Sequence, residues 1–229
     1  MSEINNLFNQ FDQIVDERRY RNHSFVTELV AGNVSKEQLK KWAIQKYFQV
    51  FQQNRAFSAI HSNSPYPDAR KYLMEQLIAE ETDIECGSDS HYDLIKRLVY
   101  AAGGTDEEIE NTSIGDPVKD YLNFVINTCK NEHFTYGLLT FYSLESQTPD
   151  SVIKMYEALK NQFGFSDHDL EWFTIHYEAD QEHGEKGREL IEKYWQEAPN
   201  FKEKSFEIVN GATEMWTKLH DYYYSVVKG

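Results

Sequence analysis

Two cysteines in 229 residues, Cys86 and Cys129, are too few for a disulfide framework. No apolar run approaches the roughly 18 residues that a membrane-spanning helix needs, so no such helix is expected. Cations are scarce, with 23 Lys and Arg against 38 Asp and Glu, and the formal net charge of −15 repels phosphate backbones and anionic lipid surfaces. Nucleic acid and membrane are therefore poor candidate partners, and neither is expected. The start of the chain, Met1 to Asn6, lacks the basic and then apolar pattern of a signal peptide, so a soluble, cytoplasmic protein is expected.

Helix breakers are also few, 11 Gly and 5 Pro, while Glu, Lys, Gln and Leu are abundant. Nothing alternates with period two for long enough to build a sheet, and no repeat or linker divides the chain. One all-α domain covering residues 1–229 is expected. Gly32-Asn33, Ser64 to Pro67, Gly103-Gly104 and Gly164 mark helix ends. Between them helices are predicted over about 3–20, 35–61, 67–85, 89–102, 116–130, 132–146, 149–163, 167–196 and 200–227. Ser35 with Gln38 reads as a capping box opening the second of these.

Chemistry is concentrated in one stretch. His176, Asp180 and His183 follow one another at spacings of four and three, and so share a helix face with Trp172, Gly187, Leu190 and Tyr194. A lone histidine on a core-facing stripe is ordinarily a satisfied core residue. Three metal-ligand types in succession there have no packing rationale. Glu81 ends a stripe of Met74, Leu77 and Ile78, with its neighbour Glu80 as competitor. His91 heads a face with Leu94, Ile95 and Leu98, and Glu145 ends one with Phe134, Leu138 and Phe141. Singly, each of these is commonly a cap or an ion-pairing residue; jointly they form a candidate site.

Three carboxylates and three imidazoles suit a first-row transition metal better than calcium, magnesium or structural zinc. Six ligands on four helices point to two metals, with open positions for oxygen; an iron pair and a mixed manganese–iron pair both accept the set. Among the many aromatics, Tyr47, Tyr142 and Tyr177 are candidates for lining a substrate pocket or carrying radicals, and Trp216 with Tyr222 to Tyr224 for packing the last helix or a homodimer contact.

Glu81, His91, Glu145 within Tyr142 to Pro149, then His176, Asp180 and His183 resemble the ligand pattern of the haem-oxygenase-like di-iron oxidases. The resemblance runs from about His23 to Tyr194 and includes Ser58 to Ser62 and Asp68 to Arg70. The nearest branch is the one named after the chlamydial protein associating with death domains. The resemblance implies a haem-oxygenase-like bundle of about seven to nine helices, two Fe(II) ions at those six residues, O2 as co-substrate, and oxidation of a small amine- or carboxylate-bearing substrate. Members of the branch make the para-aminobenzoate part of folate from a tyrosine of their own chain, assisted by a lysine. The third carboxylate of the family's N-oxygenating members, expected on the helix of Gln52 and Gln53, is absent, which disfavours a typical N-oxygenase. Val26 aligns with the branch's tyrosine and Met155, beside Lys154, with its lysine. These departures favour an external substrate, with para-aminobenzoate synthesis as the alternative. The fold also hosts metal-free thiaminases, for which Cys129 is the candidate nucleophile. A non-enzymatic helical interaction protein would instead leave an exposed apolar stripe.

Overall fold

Ser35 opens the longest internal helix as its sequence predicts: its hydroxyl accepts from the Gln38 amide at 3.2 Å, and the Gln38 side chain accepts from the Ser35 amide at 2.8 Å. The protein is represented by a computed structural model that describes residues 2–84 and 89–229, the side chains of 178–184 excepted. The α-helices are α1 (Glu3–Glu17), α2 (Ser24–Val30), α3 (Lys36–Asn63), α4 (Pro67–Glu81), α5 (His91–Ala101), α6 (Asp106–Asn111), α7 (Asp116–Asn131), α8 (Phe134–Glu145), α9 (Pro149–Phe163), α10 (Glu171–Tyr194) and α11 (Phe201–Lys228). There is no strand among the described residues.

The eleven helices among the described residues exceed the seven to nine expected, and the two additions are α2 and α6. Each is too short to show a 3.6-residue hydrophobic period. Local caps hold them. The His23 ring accepts from the Phe25 amide at 3.1 Å, and Thr105 and Glu108 form a capping box at the start of α6.

Two helices organise the core. The long α3 packs against α4, α5, α7, α8 and α11. Residues Phe134 to Leu144 of α8 are all buried, as in a helix enclosed on every side. The two meet closely at Gly137, where a Cβ would lie 2.6 Å from Ile60 Cγ1 and 2.9 Å from Cδ1. Gly137→Ala gains roughly 1 kcal/mol of helix propensity and loses about 1–3 to overpacking. A net loss of about 1 kcal/mol is expected in urea unfolding; unchanged stability would mean that Ile60 moves aside.

Polar ties fix α10 against its neighbours. Tyr194 donates to Asp68 of α4 at 2.8 Å and Lys193 at 2.7 Å, which together pull the Asp68 carboxyl down to about 2. Arg97 of α5 binds Glu171 at the start of α10. The helices α4, α5 and α10 thus come into register at one place.

Candidate metal centre

At that place Glu80 lies in the last turn of α4, His91 is the first residue of α5, and His176 lies on α10. One donor atom from each falls within 4.8 Å of the other two. Glu80 Oε1 is 3.0 Å from His91 Nδ1, and the His91 and His176 ring centroids are 4.6 Å apart. Ser90 sets the start of α5, its hydroxyl accepting from the Asp93 amide at 3.4 Å and donating to the Asp93 carboxylate at 2.6 Å.

The His176 ring is oriented by its own helix. Its Nδ1 lies 2.7 Å from the carbonyl oxygen of Trp172, which can only accept, so Nδ1 carries the proton and Nε2 is left with a lone pair. The Trp172 ring packs against it, tilted by 31°, at 4.0 Å between centroids. The Glu80 side chain is 15 % exposed and that of His91 is 7 %. Two imidazoles and one carboxylate, largely withdrawn from water, are a donor set suited to a first-row ion such as iron.

The buried face of α4 is not the stripe expected from sequence. It runs through Ala69, Tyr72, Leu73 and Gln76, while Met74 is 45 % exposed. Glu80 continues this face at one turn beyond Gln76, and Glu81 is exposed. Burial and the neighbouring Glu80 charge raise the Glu81 carboxyl. The described grouping therefore contains Glu80 where Glu81 was expected. His91 and His176 come together as anticipated. Glu145, half-buried at the end of α8, lies outside the triad, and its charge acts on the buried Tyr121 hydroxyl. The side chains of Asp180 and His183 lie outside the described residues, as does Cys86.

The candidate tyrosines have separate settings. Tyr142 donates to Asp12 of α1 at 2.5 Å and packs edge-on to Phe8. Tyr47 stacks on Phe51, and burial raises its hydroxyl pKa. Tyr177 follows His176 and is 39 % exposed. Cys129 is fully buried, and burial pushes its thiol well above the ordinary range, the opposite of an activated nucleophile. Alkylation of native protein at neutral pH should modify Cys129 at least about tenfold more slowly than in urea, read by peptide mass mapping. Rapid native labelling at that position would revive the thiaminase alternative.

Residues 40–217 match the model of a family described as iron-containing redox enzymes. The chain is 33% identical over 193 residues to the 4-aminobenzoate synthase of Chlamydia trachomatis, covering 84% of this chain and 82% of that one. It is 28% identical over 195 residues to the 4-aminobenzoate synthase of Nitrosomonas europaea, covering 81% and 78%. Among solved structures, a CADD-like protein of unknown function from Nostoc punctiforme superposes with a TM-score of 0.76 at 16% identity over 99% of this chain and 97% of that one. A TenA homologue from P. horikoshii gives 0.74 at 14% over 96% and 99%. At those identities the structures establish the haem-oxygenase-like fold alone.

Proposed function

The chain belongs to the family of iron-containing redox enzymes, and on that footing we propose that it is an iron-dependent enzyme of the 4-aminobenzoate synthase type. The observation that carries this reading is the convergence of Glu80, His91 and His176 from three helices in a chain similar over four fifths of its length to enzymes of that name. Glu80, His91 and His176 would hold iron, with Glu145, Asp180 and His183 completing a two-iron set. Bound iron would supply the one-electron and oxygen chemistry that side chains lack.

The protein's own part is positional. The Trp172 carbonyl keeps the proton on His176 Nδ1 and so presents Nε2. The Glu80 carboxylate offsets the cation's charge in a site with little water. Leu94, Ile95 and Leu98, fully or almost fully buried on α5 behind His91, exclude solvent from one side. The test is growth of a bacterial strain unable to make 4-aminobenzoate, in medium lacking it, when this chain is expressed. Rescue is expected, and absence of rescue by folded, iron-loaded protein would overturn the assigned product.

A second reading is oxidation of an external small amine or carboxylate. Val26 and Met155, the positions aligned with the branch's tyrosine and lysine, are both buried and offer neither a phenol nor an amine. Intact mass before and after aerobic turnover separates the two. An unchanged polypeptide mass with product formed favours the external substrate, and loss of a tyrosine side chain excludes it.

A further inference from the structure

Asn54 lies inside α3, at a position 1 % exposed, where an apolar side chain is the ordinary choice. Its side-chain nitrogen donates to the Glu80 carbonyl oxygen of α4 at 3.1 Å. A carbonyl can only accept, so this contact fixes which end of the amide faces α4. The other end, Oδ1, is enclosed and has no donor among the described residues. A buried acceptor without a donor is a cost to folding that an apolar side chain of the same size would not incur. Packing alone therefore does not account for the asparagine.

What Asn54 grips is the last turn of α4, where carbonyls have no amide ahead of them within the helix. The Ile78 carbonyl takes the Thr82 amide at 3.1 Å and the Thr82 hydroxyl at 2.6 Å, whereas that of Glu80 is taken from a neighbouring helix. A carbonyl has a fixed bearing around the helix axis relative to its own side chain, so holding it holds the rotation of α4 at that residue. With its carbonyl so held, Glu80 places Oε1 at 3.0 Å from His91 Nδ1. Turning α4 by one residue, about 100°, would bring Glu81 toward His91 and carry the Glu80 carbonyl away from Asn54. The Glu81 carboxylate, raised by burial and by Glu80, is in turn lowered by the Asn54 amide, which thus meets the backbone of one glutamate and the side chain of the next.

We propose that Asn54 is a positioning residue that holds α4 in the register presenting Glu80, and not Glu81, to the metal. The role rests on the proposed iron centre at Glu80, His91 and His176. Asn54 needs no contact with the metal, because it acts through the Glu80 backbone. The unpaired Oδ1 is the folding cost of that grip: an amide can hold the carbonyl and an apolar side chain cannot.

Cobalt(II) is the probe, since its visible absorption reports binding without turnover. Purified full-length wild type, Asn54→Leu, Glu80→Gln, Glu81→Gln and the two double variants with Asn54→Leu are titrated. Asn54→Leu is expected to weaken cobalt at least about tenfold. Its metal-free thermal midpoint should stay within about 3 °C of wild type, because the lost hydrogen bond is offset by removal of the unpaired oxygen. In the wild-type background Glu80→Gln should cost at least about tenfold more affinity than Glu81→Gln, and in the Asn54→Leu background that gap should close to about threefold or less. A residue that merely packed would weaken every variant and leave the gap. Circular dichroism verifies folding, and Asn54→Ala serves if Asn54→Leu is not folded. Unchanged cobalt affinity on Asn54→Leu, a gap that persists, or no gap in the wild-type background would overturn the role. No cobalt binding by wild type would overturn the metal centre along with it, whereas the expected pattern with failed growth rescue would overturn the assigned product alone.

Discussion

His176→Ala is expected to yield a folded protein that retains less than about a tenth of the wild-type iron and loses activity at least about a hundredfold. The ring is half-buried between Trp172 and His91, and its Nε2 is the only ligand atom it can present, because Nδ1 is committed to the Trp172 carbonyl. No neighbouring side chain of the described triad can replace that atom; Glu80 and His91 already contribute one donor each. Folding should survive, since α10 is held by Asp68 and Arg97 at positions away from the imidazole. Iron is measured by mass spectrometry after anaerobic reconstitution, and the fold by circular dichroism. A folded variant with full iron occupancy would remove His176 from the ligand set.

The helical class was legible because a helix needs only local information: low breaker content, caps and a 3.6-residue period. Each of the nine sequence-predicted helices has a counterpart, most of them displaced by no more than a few residues at the ends, where caps and not periodicity decide. What escaped was short. Neither α2 nor α6 completes two turns, so their caps at His23 and Thr105 were the only available signals. The candidate site was partly legible for a related reason. His91 and His176 sit on faces whose apolar residues are buried, such as Leu94, Ile95 and Leu98, so the period pointed inward correctly. On α4 the stripe through Met74, Leu77 and Ile78 is as apolar as the true one, yet the inward face is built from Ala69, Tyr72, Leu73 and Gln76. A glutamine and a tyrosine within the buried face weaken its hydrophobic signal, and exposed Met74 strengthens the competitor. The orientation of α4 depends on contacts with distant segments, among them those of Asp68 with Lys193 and Tyr194 over a hundred residues away, and a pattern within one helix contains no trace of them.

This difference of one residue is about 100° of rotation around the α4 axis, and it has a measurable consequence. Glu80→Gln keeps the shape of the side chain but removes its charge, and it is expected to lower iron retention at least about tenfold. Glu81→Gln should leave retention within about twofold of wild type. The asymmetry follows from position: Glu80 Oε1 lies 3.0 Å from His91 Nδ1, whereas Glu81 is exposed at the helix end, only partly desolvated, and repelled by Glu80. Two adjacent carboxylates repel, so replacing Glu81 also removes an unfavourable neighbour of Glu80. The folded protein should therefore tolerate Glu81→Gln without loss of stability. Iron content and thermal midpoint measured on both variants decide the matter. Loss of iron on Glu81→Gln with retention on Glu80→Gln would assign the ligand to Glu81 and require α4 to turn by one residue when iron binds.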